Sequence, residues 1–234
     1  NPDKRIIFAI PYEGDFTLIG TTDVEHRGEV GDAHIDAGEI AYLCEQASRY
    51  FERAVKPADV VWSYSGVRPL LEDEAGDPSA VTRDYALELD TGGRATAAPL
   101  LTVWGGKLTT FRKLAEEAAD LLAAPLATKR GAWTHGAFFP GGDLGAWIGP
   151  PQRPDTDIVR FTQALALRYP QLSEPLCRRL ARGYGSRVET LLADGQLGAE
   201  VAPGLFEAEL EYLHEHEWAR TADDVLWRRT KCAL

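Results

Sequence analysis

The chain contains no methionine, even at position 1. It opens within Asn1-Pro2-Asp3-Lys4-Arg5 and passes at once into apolar residues, which reads as a piece excised from a longer protein. Cysteine is nearly as scarce. Cys44, Cys177 and Cys232 are odd in number, far apart and in no metal-like spacing, which argues against a disulfide framework and fits free thiols in a reducing compartment. Of the five histidines only His214 and His216 lie close together, and two positions apart on a helix they point to different sides, so no metal site is expected. Basic residues are in the minority: 25 Lys and Arg stand against 36 Asp and Glu, a net charge of -11 that argues against a nucleic-acid backbone as partner. No apolar run approaches the ~20 residues of a membrane span, and no charged-then-apolar secretory leader opens the chain. These absences predict a soluble, cytoplasmic protein, with peripheral contact to the inner face of a membrane left open.

What is present is ordinary in bulk and specific in detail. Hydrophobic residues make up 44% and charged residues 26% of 234, enough for one large or two modest domains with a real core. Residues 5–22 read as two strands around Glu13-Gly14-Asp15, the second running into Gly20-Thr21-Thr22-Asp23. Residues 37–53 have helical spacing, with Asp36 placed to cap the start. Residues 59–71 begin as an alternating strand, but Gly66 and Pro69 bracket Arg68 and predict an irregular strand end. An arginine there is either a surface ion pair or a planar clamp for a carboxylate or phosphate.

The stretch 99–122 organises the rest. An apolar run from Pro99 to Trp104 stops at Gly105-Gly106, and a helix period follows through Leu108, Phe111, Leu114, Ala118 and Leu121. Strand, glycine turn and helix start bring first-turn amides together with Lys107 and the hydroxyls of Thr109 and Thr110, a donor-rich wall for an anion or carbonyl. From about 126 the texture changes to Gly, Pro and Trp, and then to helices at 155–169, 173–182, 185–194, 204–217 and 221–231. Ser173 and Ser186 are candidate caps, Thr221 to Asp224 resembles a capping box, and Glu207, Glu209, Glu211, Glu215 and Glu217 read as a solvated acidic face. The expectation is an α+β protein: residues 1–125 in a mixed sheet with helices, residues 126–234 an all-helical domain.

The motifs Ile19-Gly20-Thr21-Thr22-Asp23-Val24-Glu25, Tyr64-Ser65-Gly66-Val67-Arg68-Pro69-Leu70, Thr82-Arg83-Asp84-Tyr85, Gly105-Gly106-Lys107-Leu108-Thr109-Thr110-Phe111-Arg112 and Ala222-Asp223-Asp224-Val225-Leu226-Trp227-Arg228-Arg229-Thr230 occur in that order. The ordered set resembles the C-terminal half of the FAD-dependent, respiratory glycerol-3-phosphate dehydrogenase family. The Gly-x-Gly-x-x-Gly fingerprint that grips the FAD diphosphate is absent from the chain. The resemblance implies that 1–125 is the later part of the FAD-binding and substrate-cap domain. It implies oxidation of sn-glycerol 3-phosphate to dihydroxyacetone phosphate, with electrons passed through FAD to a quinone, and a fragment inactive alone. By the same resemblance Arg68 and Thr21 would contact substrate, while Gly106, Lys107, Leu108, Thr109 and Arg83 would line the flavin, one wall of its site facing Arg68. No histidine falls in a matched motif, so no general base is named. Homodimerisation, membrane docking and quinone access stay open for the helical domain. A non-catalytic interaction module, or an amino-acid-oxidase-like flavoenzyme taking a carboxylate, are the alternatives.

Overall fold

The computed structural model of the protein describes residues 1, 3–68, 84–92, 98–193 and 195–234. The chain divides into two compact units, residues 1–136 and 137–234. The composition change at 125 therefore falls short of this division, because the helix ending at Ala123 and the turn at Thr134–Gly136 pack together in the first unit.

In the first unit, β1 (Phe8–Tyr12) and β2 (Phe16–Gly20) form an antiparallel hairpin, with Tyr12 opposite Phe16 and Phe8 opposite Gly20. Helix α1 (Ala37–Ser48) starts at a full capping box: Asp36 Oδ1 accepts from Glu39 N at 2.8 Å, and Glu39 Oε2 accepts from Asp36 N at 3.0 Å. It is shorter than its apolar period suggested. The Ser48 hydroxyl turns back to the Cys44 carbonyl and accepts from Val55 N, which closes the chain on itself after the helix. β3 (Tyr85–Asp90) and β4 (Leu100–Gly105) make a second antiparallel pair, Tyr85 opposite Gly105, and α2 (Phe111–Ala123) follows.

Two expectations need correction here. Residues 60–68 form no strand, because no ladder partner is present among the described residues and a strand exists only through its neighbour's backbone. Among the described residues the strands also make separate two-stranded pairs and not one mixed sheet, within the α+β class expected. Phe8 and Ile10 of β1 and Leu100, Val103 and Trp104 of β4 stand exposed, and among the described residues of this unit the buried apolar ones, Leu43, Cys44 and Ala47, lie on α1.

The second unit is closed around its own core. Helices α3 (Gly145–Ile148), α4 (Pro154–Arg168), α5 (Glu174–Tyr184), α6 (Val188–Leu191) and α7 (Glu207–His216) surround Phe161, Leu165, Cys177, Leu180, Val188 and Leu213. The α5 start is capped by Ser173 as its sequence position predicts, whereas Ser186 caps nothing and instead donates its amide to the Gly141 carbonyl. Gly141 has φ +84, and a Cβ there would collide with the Tyr184 carbonyl, so the loop can cross the end of α5 only as glycine. The unit is not all-helical: β5 (Glu200–Ala202) and β6 (Leu205–Phe206) form a small hairpin inside the stretch read as the start of a helix at 204. Gly204, at φ +71, turns that hairpin and holds the helix back until Glu207. Cys44 and Cys177 are free and buried, and burial pushes both thiols up.

Glu209 overturns the solvated reading of α7. Its side chain is 1% exposed, and both carboxylate oxygens are taken: Oε1 accepts from Arg179 Nη1 at 2.5 Å and from the Tyr184 hydroxyl at 2.6 Å, and Oε2 accepts from Arg179 Nη2 at 2.6 Å. Arg179 also donates to the Gly204 carbonyl, so one ion pair ties α5, α7 and the hairpin turn together. Burial alone would lower the Arg179 guanidinium, but Glu209 more than offsets this and holds it above its ordinary value. Burial and Glu209 likewise keep the Tyr184 phenol protonated far above the usual tyrosine range. The chain closes on a π-helical turn, Asp224–Arg229, started by the capping box that the sequence suggested: Asp224 N donates to Thr221 Oγ1, and Thr221 N donates to Asp224 Oδ2.

Two measurements check this account. Glu209→Ala leaves Arg179 half-enclosed without its anion and is expected to destabilise the second unit by about 3 kcal/mol in urea unfolding, with Arg179→Met/Glu209→Leu recovering most of it. Backbone N–H donors of Arg220 and Thr221 lower the Asp224 carboxyl from 3.8 to about 2. A lowered folded-state value stabilises above the unfolded value, so the stability gap between wild type and Asp224→Asn should be full above pH 4 and shrink as pH falls toward about 2.

Candidate functional site

The residues singled out by sequence lie where regular structure stops. β2 ends at Gly20, and Thr21-Thr22-Asp23 continues without a ladder. Thr22 donates its hydroxyl to Glu39 Oε1 at 2.5 Å, so the segment is fastened to the capping box of α1. Asp23 Oδ1 in turn accepts from Arg68 Nη1 at 2.5 Å, and the two side chains are 41% and 48% exposed. Arg68 is thereby tied to Asp23, two residues beyond Thr21 in a segment that Thr22 fastens to α1. Aromatic residues flank the arginine's own stretch, with Trp62 and Tyr64 stacked at 5.1 Å between ring centres.

The second group is the turn after β4. Gly105 has φ +68 and Gly106 φ +108, conformations that an L side chain adopts at a cost. A Cβ on Gly106 would also lie 3.1 Å from Leu114 Cδ1 of α2. The helix does not begin at once: Leu108–Thr110 is a 3-10 turn, and Leu108 is 90% exposed instead of packing on the α2 face. Thr110 Oγ1 accepts from Lys107 N at 3.2 Å and donates to the Lys107 carbonyl at 3.0 Å, which fixes the turn and leaves the Leu108 and Thr109 amides at a helix start without intrahelical acceptors. Lys107 Nζ lies 3.2 Å from Asp84 Oδ1, a pair 46% and 77% exposed and thus weakly held. Across the same strand pair, the Tyr85 hydroxyl donates to Glu117 of α2 at 2.7 Å. Arg83 lies outside the described residues.

The sequence reading passed over two carboxylates: Asp23 on Arg68 and Asp84 on Lys107. Both sit inside the motifs, Asp23 two residues after Thr21 and Asp84 next to Arg83, and a cation in an irregular segment is itself a signal to look for its anion. A cleft of about 500 Å³ between β3 and α2 is lined by Tyr85, Leu87, Glu117, Asp120 and Leu121. Its two carboxylates make it a poor seat for a phosphate, and the chemistry points to the Arg68 and Lys107 turns instead.

A profile of FAD dependent oxidoreductases matches residues 1–112, and a profile of the C-terminal domain of alpha-glycerophosphate oxidase matches residues 132–234. The chain belongs to the FAD-dependent oxidoreductase family. It is 45% identical over 236 residues to the aerobic glycerol-3-phosphate dehydrogenase of Escherichia coli K12, covering 99% of this chain and 44% of the relative. A glycerol-3-phosphate dehydrogenase of Pseudomonas aeruginosa is 44% identical over 238 residues, 100% of this chain and 44% of that protein. The D-erythritol 1-phosphate dehydrogenase of Brucella abortus is 44% identical over 236 residues, again 99% and 44%. The chain thus spans less than half the length of these relatives.

The donors of the glycine turn fit the group that the family name specifies. The electron-rich edge of a flavin ring needs donors and positive charge in its plane, and a helix start with a lysine presents both. Close approach there depends on Gly106. Gly106→Ala is expected to destabilise the first unit by about 1–2 kcal/mol, from the left-handed conformation alone, measured as a shift in the chemical-denaturation midpoint.

Proposed function

We propose that this chain is the C-terminal portion of an FAD-dependent dehydrogenase that oxidises the secondary alcohol of a polyol phosphate, glycerol 3-phosphate in the first place, giving dihydroxyacetone phosphate. The observation that carries the reading is 44–45% identity along 99–100% of the chain to dehydrogenases named for such substrates. Bound FAD supplies the two-electron acceptor for the hydride leaving the carbinol carbon. Arg68 holds the substrate's anionic end or its developing alkoxide through the planar guanidinium fork, and Thr21 adds a hydroxyl beside it. Lys107, with the amides of Leu108 and Thr109, would hold the flavin and supply donors and positive charge to it, and glycine at 106 would leave room for it. Arg83 is assigned to the flavin by its place in the Thr82-Arg83-Asp84-Tyr85 motif alone. Electrons then leave to a quinone at the cytoplasmic membrane face, a reading supported by the word aerobic in the name of the Escherichia coli relative.

A second substrate reading is favoured by the erythritol phosphate relative, which is as similar as the others. Both substrates carry a phosphate and a secondary alcohol, so the choice rests on how far the site extends. A ratio of kcat/KM for the two, measured on the full-length enzyme, decides it.

The isolated 234-residue chain is colourless and inactive on this reading, because the glycine fingerprint for the FAD diphosphate is not in it. In the full-length enzyme, Arg68→Ala removes a charge-assisted contact worth about 1.5–3 kcal/mol, which lowers kcat/KM by roughly ten- to a hundredfold. Unchanged kinetics in that variant would remove Arg68 from the site.

A further inference from the structure

Arg68 has a mechanical problem that its assigned task makes acute. It lies in a stretch, residues 60–68, that has no ladder partner among the described residues, and an unrestrained arginine side chain spreads over many rotamers worth about 2 kcal/mol of entropy. A contact meant to grip a small anion loses most of its value if the fork has to be ordered anew for each molecule bound. Something must hold it in advance.

The structure contains such a support. Glu39 uses its two carboxylate oxygens in opposite directions: Oε2 accepts from Asp36 N and completes the α1 cap, while Oε1 accepts from the Thr22 hydroxyl. The cap alone would need only the first of these. The second bond registers Thr22, and with it the next residue, to the start of a 12-residue helix that carries the buried apolar residues Leu43, Cys44 and Ala47. Asp23 then meets Arg68 through a single oxygen on a single nitrogen, Oδ1 on Nη1. Such a one-point contact engages one of the two Nη groups of the fork and fixes its direction, whereas a bidentate pair would have consumed the edge needed by a substrate oxyanion.

We propose that Asp23 is a positioning residue that aims Arg68 at the substrate, and that Glu39 sets Asp23 through the Thr22 hydroxyl. This rests on the reading of Arg68 as the substrate clamp. The arrangement also sets specificity. Asp23 presents negative charge beside the clamp, so a substrate must bring its phosphate to the outer edge of the fork and a hydroxyl, not a second anion, to the Asp23 side.

The test uses the full-length, FAD-loaded enzyme. Asp23→Ala should raise KM for glycerol 3-phosphate and the inhibition constant of inorganic phosphate about tenfold, with kcat changed less than threefold and flavin content and absorption spectrum unchanged. Thr22→Val, which removes the hydroxyl and leaves the α1 cap intact, should move both constants in the same direction by a smaller factor, and it serves where Asp23→Ala does not fold. In an Arg68→Ala background neither change should weaken binding further, since the residue they act through is gone. Losses that multiply in the double variants, or normal constants in both single variants, overturn the positioning role. An Arg68→Ala enzyme with normal constants overturns the clamp reading itself, which is a different outcome.

Discussion

A carboxylate taken out of water has to be answered by donors on both oxygens, and of the two described buried carboxylates in the second unit, Asp157 and Glu209, the latter ties the most elements together. Glu209 sits in α7 with Arg179 and Tyr184 of α5 on it, and Arg179 reaches on to the carbonyl of the hairpin turn. The pair adds little net stability over a well-packed apolar substitute, because desolvation consumes most of the attraction. Its effect is on specificity of packing: only one rotation of α7 and one placement of the β5–β6 turn satisfy all donors. The apolar residues Phe161, Leu165, Leu180 and Leu213 supply the bulk of the driving force around it.

The first unit follows the same rule at its surface, with a different outcome. Its cations, Arg68 and Lys107, are half-exposed and each meets one acidic oxygen from a neighbouring segment. Half-exposed pairs are weak. A cation held at one point keeps its remaining donors for a ligand, which is the property a ligand-binding cation needs. The contrast between Arg179, locked at both Nη groups and part-buried, and Arg68, held at one nitrogen, separates a structural arginine from one suited to binding. Their side-chain exposures, 23% and 48%, follow that division.

The apolar strand faces of the first unit fit the share of the relatives that the chain covers. Phe8, Ile10, Leu100, Val103 and Trp104 have strand-like spacing and would be buried in a larger sheet, yet each described pair has only two strands. A two-stranded hairpin is marginal without a packed face. The helical unit, with a closed core, shows no such deficit, and it corresponds closely to the second family profile, residues 132–234.

Local signals were legible in the sequence because short-range chemistry produces them. The Glu13-Gly14-Asp15 turn, the Asp36 and Ser173 caps, the Thr221–Asp224 box and the strand-glycine-helix order at 100–123 each depend on residues a few positions apart, and each formed as its spacing predicts. The ordered motifs carried the family for the same reason, since they are strings of neighbours. Burial of Glu209 was not legible, because its partners Arg179 and Tyr184 lie about thirty residues back, and helix period alone ranks it with its solvated neighbours. The missing strand at 60–68 and the Asp23 contact on Arg68, 45 residues apart, were decided in the same way. A ladder or an ion pair belongs to two segments at once, and only the tertiary structure brings both of them together.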